Sequence, residues 1–354
     1  MTGKTMHAVL LTGHGDIDKL VYRDDVPVPE PDADQVLLKI GACGLNNTDV
    51  NTRTSWYSKS DDAEDAAWGG ASISFPLIQG ADAVATVVAV GKDADSTLLD
   101  KRVMIDVWIR DPEDPLNMDK CRYFGSDVNG GYAEFAVIDY RNVYPVDSDL
   151  SNEELATFAT SYVTAENMLD RAQVGDGDTV LIPGASGGVG SALIQLANRR
   201  GATTVAMASA AKHAAVATVG PEVLLPRNPP DLGRALHDAL GRETVDVVAD
   251  VVGGPMFPAL IEALARGGRY TCSGAIAGPI VDLDLRSMYL NDLTFTGATV
   301  VPPGTFGRLV NYIEKGEVRP LLAETFRLRD FVKAQQVFIA KQHVGNIVVS
   351  MNQA

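Results

Sequence analysis

The chain has 354 residues, of which 46% are hydrophobic, so it can bury a substantial core and form roughly two domains. Its formal net charge of -16 argues against a nucleic-acid partner, because such binding depends on Lys and Arg contacts to phosphates. No apolar run approaches the ~20 residues of a membrane span, and the first residues show no hydrophobic signal region. Three widely separated cysteines imply no disulfide framework. These features predict a cytoplasmic protein without a membrane partner.

The first part of the chain has the pattern of an antiparallel, barrel-like β-domain. Short β-like runs separated by Pro, Gly and Asp clusters predict its strands. The runs are Met6–Leu11, Gln35–Ala42, Ala83–Val90, Arg102–Val107 and Tyr132–Ile138. Residues 58–74 are acidic, Gly-rich and aperiodic, which is typical of a lid or a disordered insert.

From about residue 150 onward, strands and helices alternate, which predicts a doubly wound parallel sheet. Its strands are expected near residues 179–183, 203–208, 222–225, 245–251, 269–273 and 293–297. A helix over Phe331–Ala340 and a strand over 345–351 are expected to return to the first domain. The predicted fold class is α/β, with one domain over 1–144 and 319–354 and a second over 145–318.

A glycine-rich turn stands between the predicted strand at 179–183 and the helix that follows it. Such a turn presents backbone N–H groups at a helix N-terminus, where the helix dipole favours a pyrophosphate. The first position of the strict G-x-G-x-x-G fingerprint is Ala185 here, while Gly187 and Gly190 are kept. The residues expected to bind a dinucleotide are Ala185, Ser186, Gly187, Gly188, Val189 and Gly190.

The residues after the next strand indicate which dinucleotide binds. NAD sites usually place Asp or Glu about 20 residues after the glycines, to bind the ribose 2′-OH. This chain has Ser209 there, followed by Lys212 and, after another short strand, by Arg227. A hydroxyl and two cations would hold a 2′-phosphate that an acid would repel, so NADP(H) is predicted over NAD(H). The alternative is that Lys212 is a solvated helix residue.

Together with three further segments, these features resemble the medium-chain dehydrogenase/reductases over nearly the whole chain. The segments are Gly130–Phe135, Val245–Gly254 and Gly345–Val349. The resemblance implies an N-terminal GroES-like domain, a Rossmann domain and a homodimer joined through edge strands at Asp292–Thr299. It also implies that Thr160 and Thr164 lie against the nicotinamide and that Ser273 and Gly274 lie near its ribose. Asn346 stands where relatives often carry Lys or Arg for the phosphates.

The zinc ligands of this family are replaced. By alignment, Asn46 and Ala81 occupy the Cys and His positions, and the third ligand position falls near Thr160. Only Cys121 remains in the region that holds four cysteines in members with a structural zinc. No pair stands at ligand spacing among His7, His14, His213, His237 and His343. We therefore expect no metal.

The zinc-free branch that the chain most resembles is the quinone oxidoreductase-like group. The resemblance rests on Ala42–Asp49 followed by Arg53 and Tyr57, although Asn47 and Asn51 depart from the group's pattern. For a quinone or enone acceptor, donors near the developing oxyanion lower the barrier. Asn46 and Tyr57 are the candidate donors.

Other readings stay open for these residues. Asn46 could only cap a turn, and Tyr57 could lie on a surface loop. Asp49 is a further catalytic candidate, although an i,i+4 ion pair with Arg53 is favoured. Asp82 could orient Arg53 or another donor, and Trp56 and Trp68 could close an apolar lid.

The leading hypothesis is a zinc-independent oxidoreductase that transfers hydride from NADPH to a quinone or an α,β-unsaturated carbonyl. One alternative is an alcohol/aldehyde dehydrogenase-like oxidoreductase, which is disfavoured because nothing replaces the Lewis acid. A second alternative is an NADPH-binding protein with little turnover.

Overall fold

The computed structural model describes residues 3–58 and 73–351 of the chain. Within these residues the chain divides into two units. The first comprises Met1–Thr160, Phe306–Gly316 and Pro320–Ala354, and the second Ser161–Thr305 and Glu317–Arg319. No helix in the described ranges has the length and apolarity needed to cross a bilayer. Most of the predicted acidic insert, with Trp68, lies outside the described residues.

The N-terminal part of the first unit is built mainly of strands. They are β1 (Thr5–Leu11), β2 (Leu20–Pro27), β3 (Gln35–Gly44), β4 (Leu77–Ile78), β5 (Asp82–Val90), β6 (Arg102–Ile105), β7 (Trp108–Ile109), β8 (Arg122–Tyr123), β9 (Phe135–Asp139) and β10 (Val143–Pro145). Two short helices accompany them, α1 (Asn47–Arg53) and α2 (Asn152–Leu155).

The second unit alternates helices with strands. Its helices are α3 (Ala159–Arg171), whose first two residues belong to the first unit, α4 (Gly188–Arg199), α5 (His213–Ala217), α6 (Leu232–Leu240), α7 (Phe257–Glu262) and α8 (Leu285–Leu290). Its strands are β11 (Thr179–Ile182), β12 (Thr203–Ala208), β13 (Val223–Pro226), β14 (Val245–Asp250), β15 (Leu264–Cys272) and β16 (Thr294–Gly297).

The last part of the chain adds four elements: α9 (Thr305–Glu314), β17 (Leu322–Arg327), α10 (Phe331–Ala340) and β18 (Asn346–Ser350). β18 pairs antiparallel with β3 and parallel with β17, so the tail completes the sheet of the first unit, as predicted. β17 has no counterpart among the predicted strands. It is the outermost strand of its sheet and is mostly exposed, so its sequence lacks an apolar alternation.

β3 is central to the first unit. In the part of the chain that the structure describes, the main sheet has seven strands in the order β10-β6-β5-β3-β18-β17, and β9 also pairs with β3. Most of β3 is buried, because it lies inside the sheet and α2 packs against it. Smaller sheets are formed by β2-β1-β4 and by β7-β8.

The second unit contains the predicted parallel sheet. Within the described residues its six strands run in the order β13-β12-β11-β14-β15-β16, and every pairing is parallel. β14 is apolar and almost wholly buried, as expected for a strand covered on both faces. The predicted α/β fold class, with a β-rich domain followed by a doubly wound parallel sheet, is confirmed.

The division between the units falls later than the predicted boundary at residues 144 and 145. It lies at Thr160 and Ser161, because α2 packs against β3, β5 and β18 of the first unit. The packing is close: a Cβ on Gly44 would lie 2.3 Å from the Ala156 oxygen. The β-rich sequence pattern ends near residue 150, but the next helix, α2, still belongs to the first unit.

Candidate active site

Two kinds of glycine build the turn between β11 and α4. A Cβ on Gly190 would lie 2.4 Å from the Gly184 oxygen, so the turn closes only around glycine there. Gly187 is different, because its φ of -86° suits any residue and its added Cβ would meet only the Gly184 oxygen, at 3.6 Å. The packing of the protein does not require a glycine at 187, and space is open in front of it.

This open space lies at the N-terminus of α4. The first N–H groups of a helix have no acceptors within the helix, and the helix dipole favours an anion beside them. Ser186, Gly188 and Val189 are partly exposed there, whereas Ala185 is fully buried and donates its backbone N–H to the Met207 oxygen over 3.2 Å. The cradle fits a pyrophosphate, with Ala185 serving the packing of the turn.

Ser209, Lys212 and Arg227 come together at one edge of the parallel sheet. Ala208 and Pro226 are registered partners at the ends of β12 and β13, so Ser209 and Arg227 follow neighbouring strand ends. Burial lowers the pKa of Lys212, and the charge of Arg227 lowers it further, so the two cations are close. Such a pair of like charges fits a ligand with a dianionic group.

The other predicted cofactor residues are distributed over both units. Ser273 and Gly274 follow β15, and the backbone N–H of Ser273 donates to the Asp250 oxygen over 3.2 Å. Thr164 is partly exposed on α3. Asn346 is 4% exposed in β18 of the first unit, where its backbone N–H donates to the Leu321 oxygen, and its assignment to the cofactor stays a prediction.

Asn46 and Asp49 form the start of α1. The backbone N–H of Asn46 donates to Asp49 Oδ2 over 2.8 Å, and the Tyr132 hydroxyl donates to the same oxygen over 2.6 Å. Burial raises the pKa of Asp49 to about 7, although both hydrogen bonds oppose the shift. Asp49 therefore stabilises the N-terminus of α1, and its catalytic role stays a prediction.

The expected ion pair between Asp49 and Arg53 is not formed. Arg53 Nε donates to Gln335 Oε1 over 2.9 Å, and Arg53 Nη1 donates to the Gly15 oxygen over 2.5 Å. Helical spacing permits an i,i+4 pair, but the cap at Asn46 holds the Asp49 carboxylate instead. Asp82 does not orient Arg53 either, because its bonded oxygen contacts Thr160.

Asp82, Thr160 and Tyr123 form a hydrogen-bonded chain within the first unit. Asp82 Oδ1 accepts from the Thr160 backbone N–H over 2.9 Å and also from the Thr160 hydroxyl. The Tyr123 hydroxyl lies 3.1 Å from Thr160 Oγ1. Burial raises the pKa of Asp82 to about 6, against the hydrogen bonds from Thr160 and the nearby Asn46 side chain.

Two buried polar atoms beside this chain have no hydrogen-bond partner. They are Asp82 Oδ2 and Asn46 Nδ2. The Asn46 amide is near enough to lower the pKa of Asp82, but the two side chains do not align as a hydrogen-bonded pair. Unsatisfied buried groups are rare in folded proteins and mark places where a ligand or water completes the bonding.

Tyr57 lies at the edge of the same cluster. Its hydroxyl accepts from Asn51 Nδ2 over 3.3 Å, and Trp56 packs edge-to-face on its ring at 5.4 Å. Burial raises the pKa of Tyr123, followed by the charge of Asp82 and, more weakly, by that of Tyr57. Tyr57 is partly exposed, so it can meet a ligand that enters from solvent.

The residues at the family's ligand positions do not fit zinc. Zinc prefers Cys sulfur, His nitrogen or a carboxylate, whereas Asn46 offers an amide, Ala81 a methyl group and Thr160 a hydroxyl. Among residues 3–58 and 73–351, no group of three or more His, Cys, Asp or Glu side chains could hold a metal ion. The cluster supplies hydrogen-bond donors and a buried carboxyl instead.

These two raised carboxyl pKa values predict how stability depends on pH. Asp49 and Asp82 titrate near 7 and 6 in the folded protein but near 3.8 without burial. As pH rises from about 4 to 7, the unfolded chain releases these protons first, so the free energy of unfolding falls. Urea unfolding at pH 5 and pH 8 should show this loss, and Asp49→Asn should reduce it.

Asp95→Asn is the control for that series. The hydrogen bonds from Thr97 lower the pKa of Asp95, so removing the Asp95 carboxyl should not reduce the loss of unfolding free energy between pH 5 and pH 8. If the free energy of unfolding depends equally on pH in the wild type and in Asp49→Asn, the pKa of Asp49 is not raised in the folded protein.

Comparison with known proteins agrees with this arrangement. The model of the alcohol dehydrogenase GroES-like domain matches residues 32–148, and that of the zinc-binding dehydrogenase domain matches residues 188–315. A quinone oxidoreductase of Rattus norvegicus is 25% identical over 342 residues, which are 95% of this chain and 94% of the relative.

Two solved structures extend the comparison. A putative alcohol dehydrogenase from Sinorhizobium meliloti 1021 is 47% identical with a TM-score of 0.92, and the match covers 99% of this chain and 97% of that one. A 2-octenoyl-CoA carboxylase reductase, solved with NADP and 2-octenoyl-CoA, is 25% identical with a TM-score of 0.86 over 99% of this chain and 88% of that one. The chain therefore belongs to the medium-chain dehydrogenase/reductase superfamily of oxidoreductases.

Proposed function

We propose that the protein is a zinc-independent oxidoreductase that transfers hydride from NADPH to a quinone or an α,β-unsaturated carbonyl. The observation that carries the proposal is the cluster of buried Asn46 and Asp82 with partly exposed Thr160, which has hydrogen-bonding groups where zinc-dependent relatives bind the metal. Relatives named as a quinone oxidoreductase and as a 2-octenoyl-CoA carboxylase reductase support this acceptor class.

On the cofactor side, the second unit offers two anion sites. The N-terminal N–H groups of α4 would hold the pyrophosphate, and Gly187 leaves room for its approach. Lys212 and Arg227, with the Ser209 hydroxyl, would hold the 2′-phosphate that distinguishes NADPH from NADH. NADPH supplies the hydride when it is bound.

On the acceptor side, the first unit offers hydrogen-bond donors. Addition of hydride to a conjugated carbonyl leaves negative charge on its oxygen, and preorganised donors stabilise that charge. Asn46 Nδ2 is buried and has no partner, so it can donate without first breaking another bond. Tyr57 contributes a second hydroxyl at the exposed edge of the cluster.

An alcohol/aldehyde dehydrogenase is the second candidate. It is favoured by the 47% identity to the putative alcohol dehydrogenase of Sinorhizobium meliloti. It is disfavoured by the donor set, since no zinc ligand replaces Asn46, Ala81 and Thr160 to polarise an alkoxide. A nucleotide-binding protein with little turnover would keep the α4 cradle without needing the Asn46 donor.

The first test is NADPH oxidation by protein treated with a chelator, in the presence of a simple quinone or an enone. We expect turnover that the chelator does not reduce. Asn46→Ala and Tyr57→Phe should lower kcat while the Kd for NADPH stays unchanged, because both side chains are proposed to contact the acceptor and not the cofactor. Bound NADPH without oxidation would instead favour the non-catalytic reading, and loss of activity on chelation would favour a metal enzyme.

Cofactor choice gives a second test. Arg227→Ala removes one of the two cations beside the proposed phosphate site, so the Kd for NADPH should rise about tenfold while the Kd for NADH stays constant. Arg234→Ala, which removes an exposed arginine on α6, is the matched control. If Arg227→Ala raises the Kd for NADPH and the Kd for NADH equally, the 2′-phosphate does not bind at Arg227.

We also propose that two copies of the chain pair through β16. In the described part of the chain β16 pairs only with β15, so its outer edge can accept the β16 of a second copy. Large apolar side chains nearby in sequence are exposed, and they are Ile276 (59%), Ile280 (91%), Leu285 (65%), Tyr289 (63%) and Leu290 (55%). Such exposure is typical of a surface that a partner covers.

Light scattering tests this assembly. We expect the mass of a dimer for the wild type and a shift toward the monomer for Ile280→Lys combined with Tyr289→Lys. Leu116→Lys, at an equally exposed apolar position of the first unit, should leave the mass unchanged. A monomeric wild type would contradict the proposal.

A further inference from the structure

We infer that the Thr160 hydroxyl exchanges a proton with the oxygen of the substrate, and that Asp82 is the buried positioning residue that supplies or receives this proton. The inference rests on the proposed function, whose hydride transfer leaves an oxygen to be protonated. It assigns Thr160 a chemical task in addition to its predicted place beside the nicotinamide.

The hydrogen-bond directions define the path. Thr160 donates both its backbone N–H and its hydroxyl to Asp82 Oδ1, so the Thr160 oxygen keeps its lone pairs for another donor. Tyr123 is placed to be that donor, with its hydroxyl 3.1 Å from Thr160 Oγ1. A substrate hydroxyl that takes over this place would be linked to ionised Asp82 through the single hydroxyl of Thr160. When Asp82 is protonated the directions reverse, so that the Asp82 O–H donates to Thr160 Oγ1 and the Thr160 O–H donates to a substrate carbonyl oxygen.

Exposure shows which member of the path can meet a substrate. Asp82 is 0% exposed and Tyr123 is 5% exposed, whereas Thr160 is partly exposed. A ligand entering from solvent therefore meets Thr160 before it meets Asp82. Asp82 acts through Thr160, and Thr160 is the residue in contact.

A second buried carboxylate in the same protein, Asp250, has hydrogen-bond partners for both of its oxygens. Asp250 Oδ1 accepts from the Val252 and Gly253 backbone N–H groups, and its Oδ2 accepts from the Gly253 N–H and the Tyr270 hydroxyl. Both of its oxygens are thus satisfied. Asp82 is equally buried, yet its Oδ2 has no partner and lies near the unpartnered Asn46 Nδ2. A carboxyl that served only the fold would be left with an uncompensated desolvation cost.

The proton transfer balances in both directions. In reduction of an α,β-unsaturated carbonyl, hydride adds to the β-carbon, and the C=C and C=O electron pairs shift so that negative charge reaches the carbonyl oxygen. The Thr160 O–H gives its proton to that oxygen, which forms the enol. The O–H bond of protonated Asp82 breaks as its proton passes to Thr160, and Asp82 regains a proton from water after the product leaves. In oxidation each proton moves the opposite way, and ionised Asp82 is the acceptor.

The pH dependence follows from the state of Asp82. Burial raises the pKa of Asp82 to about 6, so the protonated form that reduction needs is lost as pH rises through that value. The titratable groups that face it are Asp49, Cys43, Tyr123 and Tyr132, and the Asp82 charge raises the pKa of each. Since Asp49 is coupled to Asp82, the titration is assigned by the difference from Asp82→Asn.

The test compares Thr160→Val, Thr160→Ser and Asp82→Asn with the wild type. Thr160→Val keeps the shape but removes the hydroxyl, so kcat for reduction should fall about 10²-fold while KM for the acceptor holds. Thr160→Ser should recover most of this rate. In Asp82→Asn, kcat should no longer fall as the pH rises through about 6. Thr157→Val, whose buried hydroxyl contacts the Glu154 oxygen over 2.7 Å, is the control and should keep the wild-type profile.

A readout independent of turnover is the titration of the Asp82 carboxyl, followed by ¹³C NMR of labelled aspartate. The hydrogen bonds from Thr160 lower the pKa of Asp82, so Thr160→Val should raise it and Thr160→Ser should restore it. A wild-type titration in Thr160→Val, or an unchanged kcat profile in Asp82→Asn, would overturn the relay.

The two failures can be told apart. If the wild type reduces a quinone or enone and the variants keep its pH profile, the relay is wrong and the proposed function stands. If the wild type reduces neither acceptor but Thr160→Val still shifts the Asp82 titration, the coupling is real and the proposed function is wrong.

Discussion

The pairing of β3 with β5 is the constraint on which the first unit and its polar cluster depend. It joins Gly44 at the end of β3 to Asp82 at the start of β5, and α1 begins a few residues after Gly44. Asn46 and Asp82 therefore meet without any direct bond between their side chains. A side chain at Gly44 would overlap the Ala156 oxygen, so glycine there lets the segment leading to Thr160 lie against the same strand ends.

The sequence predicts elements whose signals are local. The helix Phe331–Ala340 and the strand Thr203–Ala208 have the predicted bounds, because an apolar period and a buried run are both visible within one window. β17 carries no such period, because it is an edge strand with one buried side chain, and the sequence alone does not indicate it. The units divide later than the predicted boundary near residue 144, because the packing of α2 on β3 leaves no signal in the local sequence pattern.

The candidate site divides in the same way. The α4 turn and the cations at Lys212 and Arg227 follow local motifs, and in the structure they lie after the ends of β11, β12 and β13, while their role toward a cofactor stays a prediction. The contact between Asp82 and Thr160 spans 78 positions, so no spacing rule indicates it. Tyr123 was missed for the same reason. The Asp49–Arg53 pair had valid spacing, but a capping interaction and Gln335 bind the two side chains separately.

Gly187 has a consequence for the unliganded protein. Its backbone angles suit alanine and its neighbours leave room for a Cβ, so the packing of the free protein does not need glycine there. Gly187 is also the N-cap of α4, a position where glycine is favoured over alanine although it gives the unfolded chain more freedom. A methyl group at 187 would stand in the open space before the first turn of α4. Alanine there would therefore leave the fold intact and narrow the approach to the N–H groups of that turn.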